Sequence, residues 1–268
     1  NVAIGSGALT SEDDGDFNTA VGYQALTAQT GTSGDVQNTA VGYQAGVAIT
    51  KGRYNTILGF KALLTDDVGD KSVAIGNYAL GLQNSDSDNE TTGNVGIGYN
   101  AGYYNVTGQN NTYIGLSAGL GASGQSNSGN TAVGKDALLD ITTANYNTVM
   151  GMDAGANITT GTGNVIMGSS AGGITTNVDN AVIIGKDACY ADLTAAADGT
   201  VAIGYAALQA LTSGADNLAI GYQALLEHTT GARNMAIGHG SMNDTGANDC
   251  PTSIDNIFIG FDAGGGTW

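Results

Sequence analysis

The octapeptide NTAVGYQA occupies residues 18–25 and recurs unchanged at residues 38–45, and degenerate copies of it fill the rest of the chain. Aligning the copies on their central glycine gives fifteen repeats, most of which are 17 residues apart. A period held this closely over 268 residues is typical of stacked structural units rather than of one globular core. The aligned residues, called the motif glycines below, are Gly5, Gly22, Gly42, Gly59, Gly76, Gly98, Gly115, Gly134, Gly151, Gly168, Gly185, Gly204, Gly221, Gly238 and Gly260.

The residues around each motif glycine predict a short strand followed by turns. The residue directly before the glycine is aliphatic or Met in every copy, and Val or Thr is frequent two positions earlier, as in Val2 and Ile4. This period of two is the signal of a β-strand. An Ala comes next, followed mostly by Leu or Gly, and then a polar stretch rich in Thr, Gly, Asp and Asn, which is typical of turns.

We therefore predict an all-β chain, a β-solenoid or β-roll of about fifteen 17-residue coils, because so short a unit leaves no room for a strand and a helix. Residues 1–268 are expected to form a single repeat array, which we interpret as a segment of a longer fibre protein. Extra residues at 27–37, 81–93, 119–129, 190–199 and 243–255 are expected to bulge as loops without disturbing the stack, since the cost of closing a loop grows slowly with its length.

Both faces of the predicted strand are apolar. We expect the residue directly before the motif glycine to be buried inside the coil. The residue two before the glycine points to the opposite face, yet it is apolar too, as at Ala132 and Ala219. A thin coil has one interior, so this second stripe is predicted to pack against another copy of the chain; the alternative is a row of small residues on an exposed face.

An Asn stands four residues before the motif glycine in twelve copies. Such a column of amides is expected either to form hydrogen bonds along the stack or to cap the turns in which the residues lie. The motif glycine itself is expected to need a positive φ or a close approach to neighbouring backbone. Both features indicate structural roles.

The composition favours a fibrous protein over an enzyme. Forty-four glycines, one proline, one tryptophan and 12% charged residues describe a chain of turns and small side chains rather than one with a large aromatic pocket. The formal net charge of −17 disfavours nucleic acids and anionic membranes as partners. Since no run of eighteen apolar residues occurs, membrane insertion is not expected.

The sequence contains no recognisable catalytic constellation. We find no Ser-His-Asp arrangement, phosphate-binding glycine loop or zinc-ligand spacing, and we predict neither an enzyme nor a cofactor. Cys189 and Cys250 belong to coils far apart in the stack, which disfavours a disulfide between them. His228, in a turn, and His239, directly after a motif glycine, are expected at the surface.

Two sets of residues could bind ligands. Carboxylates clustered in two turns could hold calcium, although neither cluster matches a known calcium loop and solvated turns are the favoured interpretation. Aromatic residues directly after the motif glycine could stack on sugar rings, or could pack on the neighbouring coil. The calcium candidates are Asp13, Asp14, Asp16, Asp86, Asp88 and Glu90, and the ligand-binding candidates are Tyr23, Tyr43, Tyr99, Tyr205 and Tyr222.

The unit NTAVGYQAL, with Thr-Gly-rich turns such as residues 229–231, resembles the repeats of phage tail-fibre proteins. The sequence VAIG at residues 2–5, 73–76 and 201–204 is similar to the head repeats of trimeric autotransporter adhesins. Both resemblances cover the whole chain and imply a homotrimeric β-roll or β-solenoid on an extracellular fibre, carried by a virion tail or a cell surface. They also imply a surface polysaccharide or protein as receptor.

These observations favour a structural and attachment segment of a viral tail fibre that contacts a host cell surface. A bacterial trimeric surface adhesin is the first alternative. An ice-binding or polysaccharide-binding solenoid is the second; a flat, regular array of Thr would favour ice, but the Thr residues vary in position between coils.

Overall fold

The computed structural model describes residues 1–31, 34–88, 90–243 and 253–265. It confirms an all-β parallel solenoid of about 14 turns, and the described residues contain one 3-10 turn, Ala195–Ala197, but no α-helix. Fifteen strands have three residues each and end directly before a motif glycine, as predicted. The strands are β1 Val2–Ile4, β2 Gly15–Asp16, β3 Thr19–Val21, β4 Gly34–Asp35, β5 Thr39–Val41, β6 Thr56–Leu58, β7 Val73–Ile75, β8 Val95–Ile97, β9 Thr112–Ile114, β10 Thr131–Val133, β11 Thr148–Met150, β12 Val165–Met167, β13 Val182–Ile184, β14 Val201–Ile203, β15 Leu218–Ile220, β16 Met235–Ile237 and β17 Ile257–Ile259.

The chain divides into two compact units, residues 1–130 and 131–268. In the first unit, β1, β3 and β5 to β9 pair in sequence order as a parallel sheet, while β2 and β4 form a separate two-stranded sheet. In the second unit, β10 to β17 pair in sequence order, again in parallel. Each coil therefore contributes one strand to a sheet that grows along the stack.

The insertions leave the strand register intact where both coils are described. Thr19 pairs with Thr39 across the first insertion, and Val73 pairs with Val95 across the second. Val182 pairs with Val201 in the same way. Within 119–129 the chain forms turns and bends, and 244–252, like 32–33 and 89, lie outside the described residues. The prediction that extra residues leave the stack undisturbed is confirmed for these three strand pairs, whereas Gly34–Asp35 of the first insertion forms β4 rather than a loop.

The predicted assignment of the two strand faces is wrong. The middle residue of each strand, two before the motif glycine, points inward, and Ala20, Ala132 and Ala219 are fully buried. The residue directly before the glycine lies on the outer face, where Ile4 is 59% exposed and Leu58 is 46% exposed. A period of two separates the faces but cannot say which is inside when both are apolar.

The interior is filled by side chains whose sizes compensate between neighbouring coils. Leu26 and Leu63 are fully buried four residues after a motif glycine, where the adjoining strands contribute mostly Ala. Some coils have Gly at this position, next to a larger side chain of a strand: a Cβ on Gly46 would lie 2.7 Å from Cδ1 of Ile57, and one on Gly119 would overlap the ring of Tyr113. In these coils a glycine therefore makes room for a large neighbouring side chain in a closely packed core.

The Asn column binds adjacent coils to each other, which confirms the expectation of hydrogen bonds along the stack. The backbone N–H of Asn38 donates to Oδ1 of Asn18 at 2.9 Å, and that of Asn55 donates to Oδ1 of Asn38 at 2.8 Å. The side-chain amide of Asn38 also donates to the carbonyl of Gly52, near the end of its own repeat. These side chains are almost fully buried, so each satisfies polar backbone groups that water cannot reach.

The backbone conformation at the motif positions requires glycine. Their φ angles lie between 125° and 143°, a region that side chains rarely allow. A Cβ on Gly42 would also lie 2.3 Å from the carbonyl oxygen of Gly59 in the next coil. Close contact between successive turns therefore depends on glycine at this position.

Candidate binding surfaces

The outer sheet face consists of the first and last residue of every three-residue strand. All of these residues are aliphatic, Met or Thr, none is charged, and each is half-buried or exposed in a single chain. In the second unit the face contains only aliphatic residues and Met from β12 onward, as at Val165, Met167 and Ile203. The eight strands β10 to β17 of the second unit, about 4.8 Å apart, make its outer sheet face roughly 34 Å long.

Exposure of this face is unusual for the type of sheet that carries it. Parallel sheets normally have both faces covered, and the inner face alone is covered by the rest of the coil. Extended apolar patches on an isolated chain typically mark an interface. The outer sheet face is therefore a candidate surface for association.

The tyrosines predicted to bind ligands lie on the surface, and four of them form ladders. In the first unit Tyr23 stacks on Tyr43 and Tyr43 on Phe60, with ring centroids 5.2 Å apart in both pairs. In the second unit Tyr205 stacks on Tyr222 at 5.2 Å, and the ladder continues through His239 to Phe261. Since neighbouring rings cover each other's faces, the ladders present mainly ring edges to solvent. This geometry agrees with the alternative interpretation of the sequence, in which these aromatic residues pack on the neighbouring coil.

Tyr99 lies in different surroundings. It lines an open surface depression in the first unit together with three other tyrosines. These partners were not predicted from the sequence, because of the four tyrosines only Tyr99 lies directly after a motif glycine. The consecutive tyrosines at 103 and 104, at positions where most repeats carry small or aliphatic residues, were the available signal. The depression is lined by Tyr78, Tyr99, Asn100, Tyr103, Tyr104 and Leu120.

Some carboxylates of the acidic turns form hydrogen bonds or an ion pair within the protein. Oε1 of Glu12 accepts from the backbone N–H of Gly15 at 2.5 Å, and its Oε2 accepts from Asn18. In the second turn Asp88 forms an ion pair with Lys51 at 2.6 Å, while Glu90 accepts from the N–H of Asp86. The candidates Asp13, Asp14 and Asp16 are exposed. Within the described ranges, no three His, Cys, Asp or Glu side chains are grouped so as to hold a metal ion.

One of the two histidines does not lie where the sequence suggested. His228 is completely buried, and the expectation of a surface position is wrong because this turn position points into the coil. His239 is half exposed and belongs to the second aromatic ladder, with Nδ1 3.8 Å from Oδ1 of Asp262. Cys189 is fully buried, which raises the pKa of its thiol, and Cys250 lies outside the described residues.

Comparison of the sequence with protein-family models and with curated proteins finds no match. In the part of the chain that the structure describes, no helix is long and apolar enough to cross a membrane.

Proposed function

We propose that the chain is a structural and attachment segment of an extracellular fibre, in which copies of the solenoid associate through the outer sheet face. The observation that carries this proposal is the continuous, uncharged outer face of a parallel sheet within each unit. The resemblance of the repeats favours a viral tail fibre that contacts a host cell, with a bacterial trimeric adhesin as the alternative.

The charge distribution supports association of identical chains through this face. Each copy carries a formal charge of −17, so two copies repel each other wherever acidic surfaces meet. The outer sheet face contributes none of this charge, and burying one aliphatic side chain contributes about 1.5 to 3 kcal/mol. The partner that fits best is another copy with the same repeat. Three copies are favoured over two by the repeat resemblance alone.

The experiment is a charge substitution on the outer sheet face. We expect the wild-type chain to be multimeric at micromolar concentration in gel filtration coupled to light scattering. Ile203→Glu should shift it toward monomer, because identical carboxylates would meet in an apolar interface. The matched control is Ile174→Glu, an equal change at a side chain that is 39% exposed away from this face.

Two results would contradict the proposal. A monomeric wild-type chain would leave the outer sheet face without a self-partner. Equal dissociation in Ile203→Glu and Ile174→Glu would mean that added charge, rather than its place on the outer face, breaks the assembly.

A polysaccharide-binding module is the second candidate function, and the tyrosine-lined depression is the observation that favours it. An ice-binding solenoid is less well supported. On the outer sheet face, the Thr column at Thr19, Thr39 and Thr56 is interrupted by Val73 and Val95, so the chain does not present a regular hydroxyl array.

A further inference from the structure

Four of the twelve tyrosines of the chain surround one depression in the first unit, which we name the tyrosine depression. Tyr78, Tyr99, Tyr103 and Tyr104 come from two successive coils, and Asn100 adds an amide to the same surface. Tyr99 is 51% exposed, and the other three rings are half-buried. Solvent therefore reaches a surface that combines aromatic rings, phenolic hydroxyls and one amide.

The rings of the tyrosine depression are arranged differently from those of the ladders. Tyr78 and Tyr103 have centroids 5.8 Å apart and an interplanar angle of 87°, and Tyr103 and Tyr104 have centroids 4.7 Å apart at 79°. An edge-to-face pair, unlike a stacked pair, does not cover a face of both rings. The ring faces of the tyrosine depression are thus not covered by stacked neighbours, as those of the ladders are.

A glycine in the preceding coil makes room for the central ring. A Cβ on Gly81 would lie 2.5 Å from Cε2 of Tyr103, closer than the ring allows. Gly81 does not have the positive φ that would itself call for glycine. Its role is therefore steric: it leaves room for the Tyr103 ring, which lines the depression.

We propose that the tyrosine depression binds a neutral pyranose unit of a surface polysaccharide. Aromatic faces suit the apolar C–H face of a pyranose ring, while hydroxyl and amide groups both donate and accept hydrogen bonds to sugar hydroxyls. None of the six lining residues is charged. The nearest cation over these rings, Lys61, has its Nζ 6.0 Å from the Tyr78 centroid, and the net charge of −17 opposes acidic glycans.

Burial and the neighbouring phenols raise the pKa of Tyr103 above its ordinary value. This hydroxyl therefore stays protonated at neutral pH and can donate as well as accept. The inference rests on the attachment part of the proposed function and specifies what would be recognised.

The test is affinity electrophoresis in native gels that contain hydroxyethyl cellulose, xyloglucan or galactomannan as neutral probes and alginate as an acidic probe. We expect at least one neutral polysaccharide to retard the wild-type chain. Tyr103→Ala and the more exposed Tyr99→Ala should weaken this retardation tenfold or more. Gly81→Ala, which removes no aromatic group, should also weaken it by displacing the Tyr103 ring. Tyr54→Ala, at a 42% exposed tyrosine outside the depression, should leave it unchanged.

The proposal is overturned if no neutral polysaccharide retards the wild type, if alginate alone does, or if Tyr99→Ala behaves as wild type. The same samples are run through gel filtration with light scattering, because none of the substituted residues lies on the outer sheet face. A multimer without retardation removes only the saccharide site. A retarded monomer removes the fibre assembly and leaves the site in place.

Discussion

His228 shows how one residue can make a repetitive core sensitive to pH. It occupies the interior position, seven residues after a motif glycine, that Leu211 fills in the preceding coil and Ile158 fills elsewhere. Its Nε2 lies 3.2 Å from Nδ2 of Asn234. Because an amide NH₂ group can only donate, Nε2 must accept, and this requires the neutral ring. Burial lowers the pKa of His228, although a backbone hydrogen bond with Gly231 opposes the shift.

The lowered pKa predicts a loss of stability in mild acid. The unfolded chain takes up a proton near the ordinary value of about 6.5, while the folded chain does so only at lower pH. The contribution of His228 is thus fully present above pH 6.5 and is lost as pH falls toward the folded-state pKa. We expect His228→Leu, which copies Leu211, to reduce the drop in melting temperature between pH 7 and pH 5. His239→Gln, at an exposed histidine, should retain the full drop, and equal drops in both variants would contradict the assignment.

At the scale of one coil, the repeat length, strand position and loop sites could be predicted from the sequence, because motif spacing and period-two patterning depend on local geometry. The inner face could not be predicted from apolarity alone. The Asn column held the missing signal: Asn130 and Ala132 are two residues apart and share a face, and an amide that bridges coils must be buried. The tyrosine depression was also missed, since it combines residues from two coils that no single repeat contains.

Adjacent residues of β15 provide a direct test of the two faces. Ala219 is fully buried, so Ala219→Asp would place an unpaired charge in the core and should lower the melting temperature of the chain strongly, at a cost of several kcal/mol. Ile220 is half-buried on the outer sheet face, and Ile220→Asp should retain the coil structure while weakening association. Circular dichroism melts and light scattering on both variants separate the two effects. If Ala219→Asp remained folded while Ile220→Asp unfolded, the assignment of the inner and outer faces would be wrong.

At the scale of the whole molecule, one repeated unit provides both the packed inner face that stabilises each stack and the outer face through which we propose that chains associate. Within each unit, successive coils pack through backbone, Asn and core side chains, so stability adds up coil by coil. The inner face of the sheet is buried by this packing. The outer sheet face remains accessible and repeats at the same spacing between strands. A second chain with the same period can match it strand for strand, which a globular partner with no such period cannot do as readily.

The net charge then predicts how salt should act on the assembly. If copies associate through the uncharged outer sheet face, the opposing force is repulsion among chains of charge −17, and salt screens it with a Debye length that falls from about 30 Å at 0.01 M to about 10 Å at 0.1 M. Apolar attraction is not screened, so raising sodium chloride from 0.01 to 0.5 M should lower the dissociation constant several-fold in sedimentation equilibrium. The Ile203→Glu chain should show a larger gain, because added carboxylates increase the repulsion that salt relieves. An assembly that weakens as salt rises would be held by ion pairs, and the outer sheet face would then not be its interface.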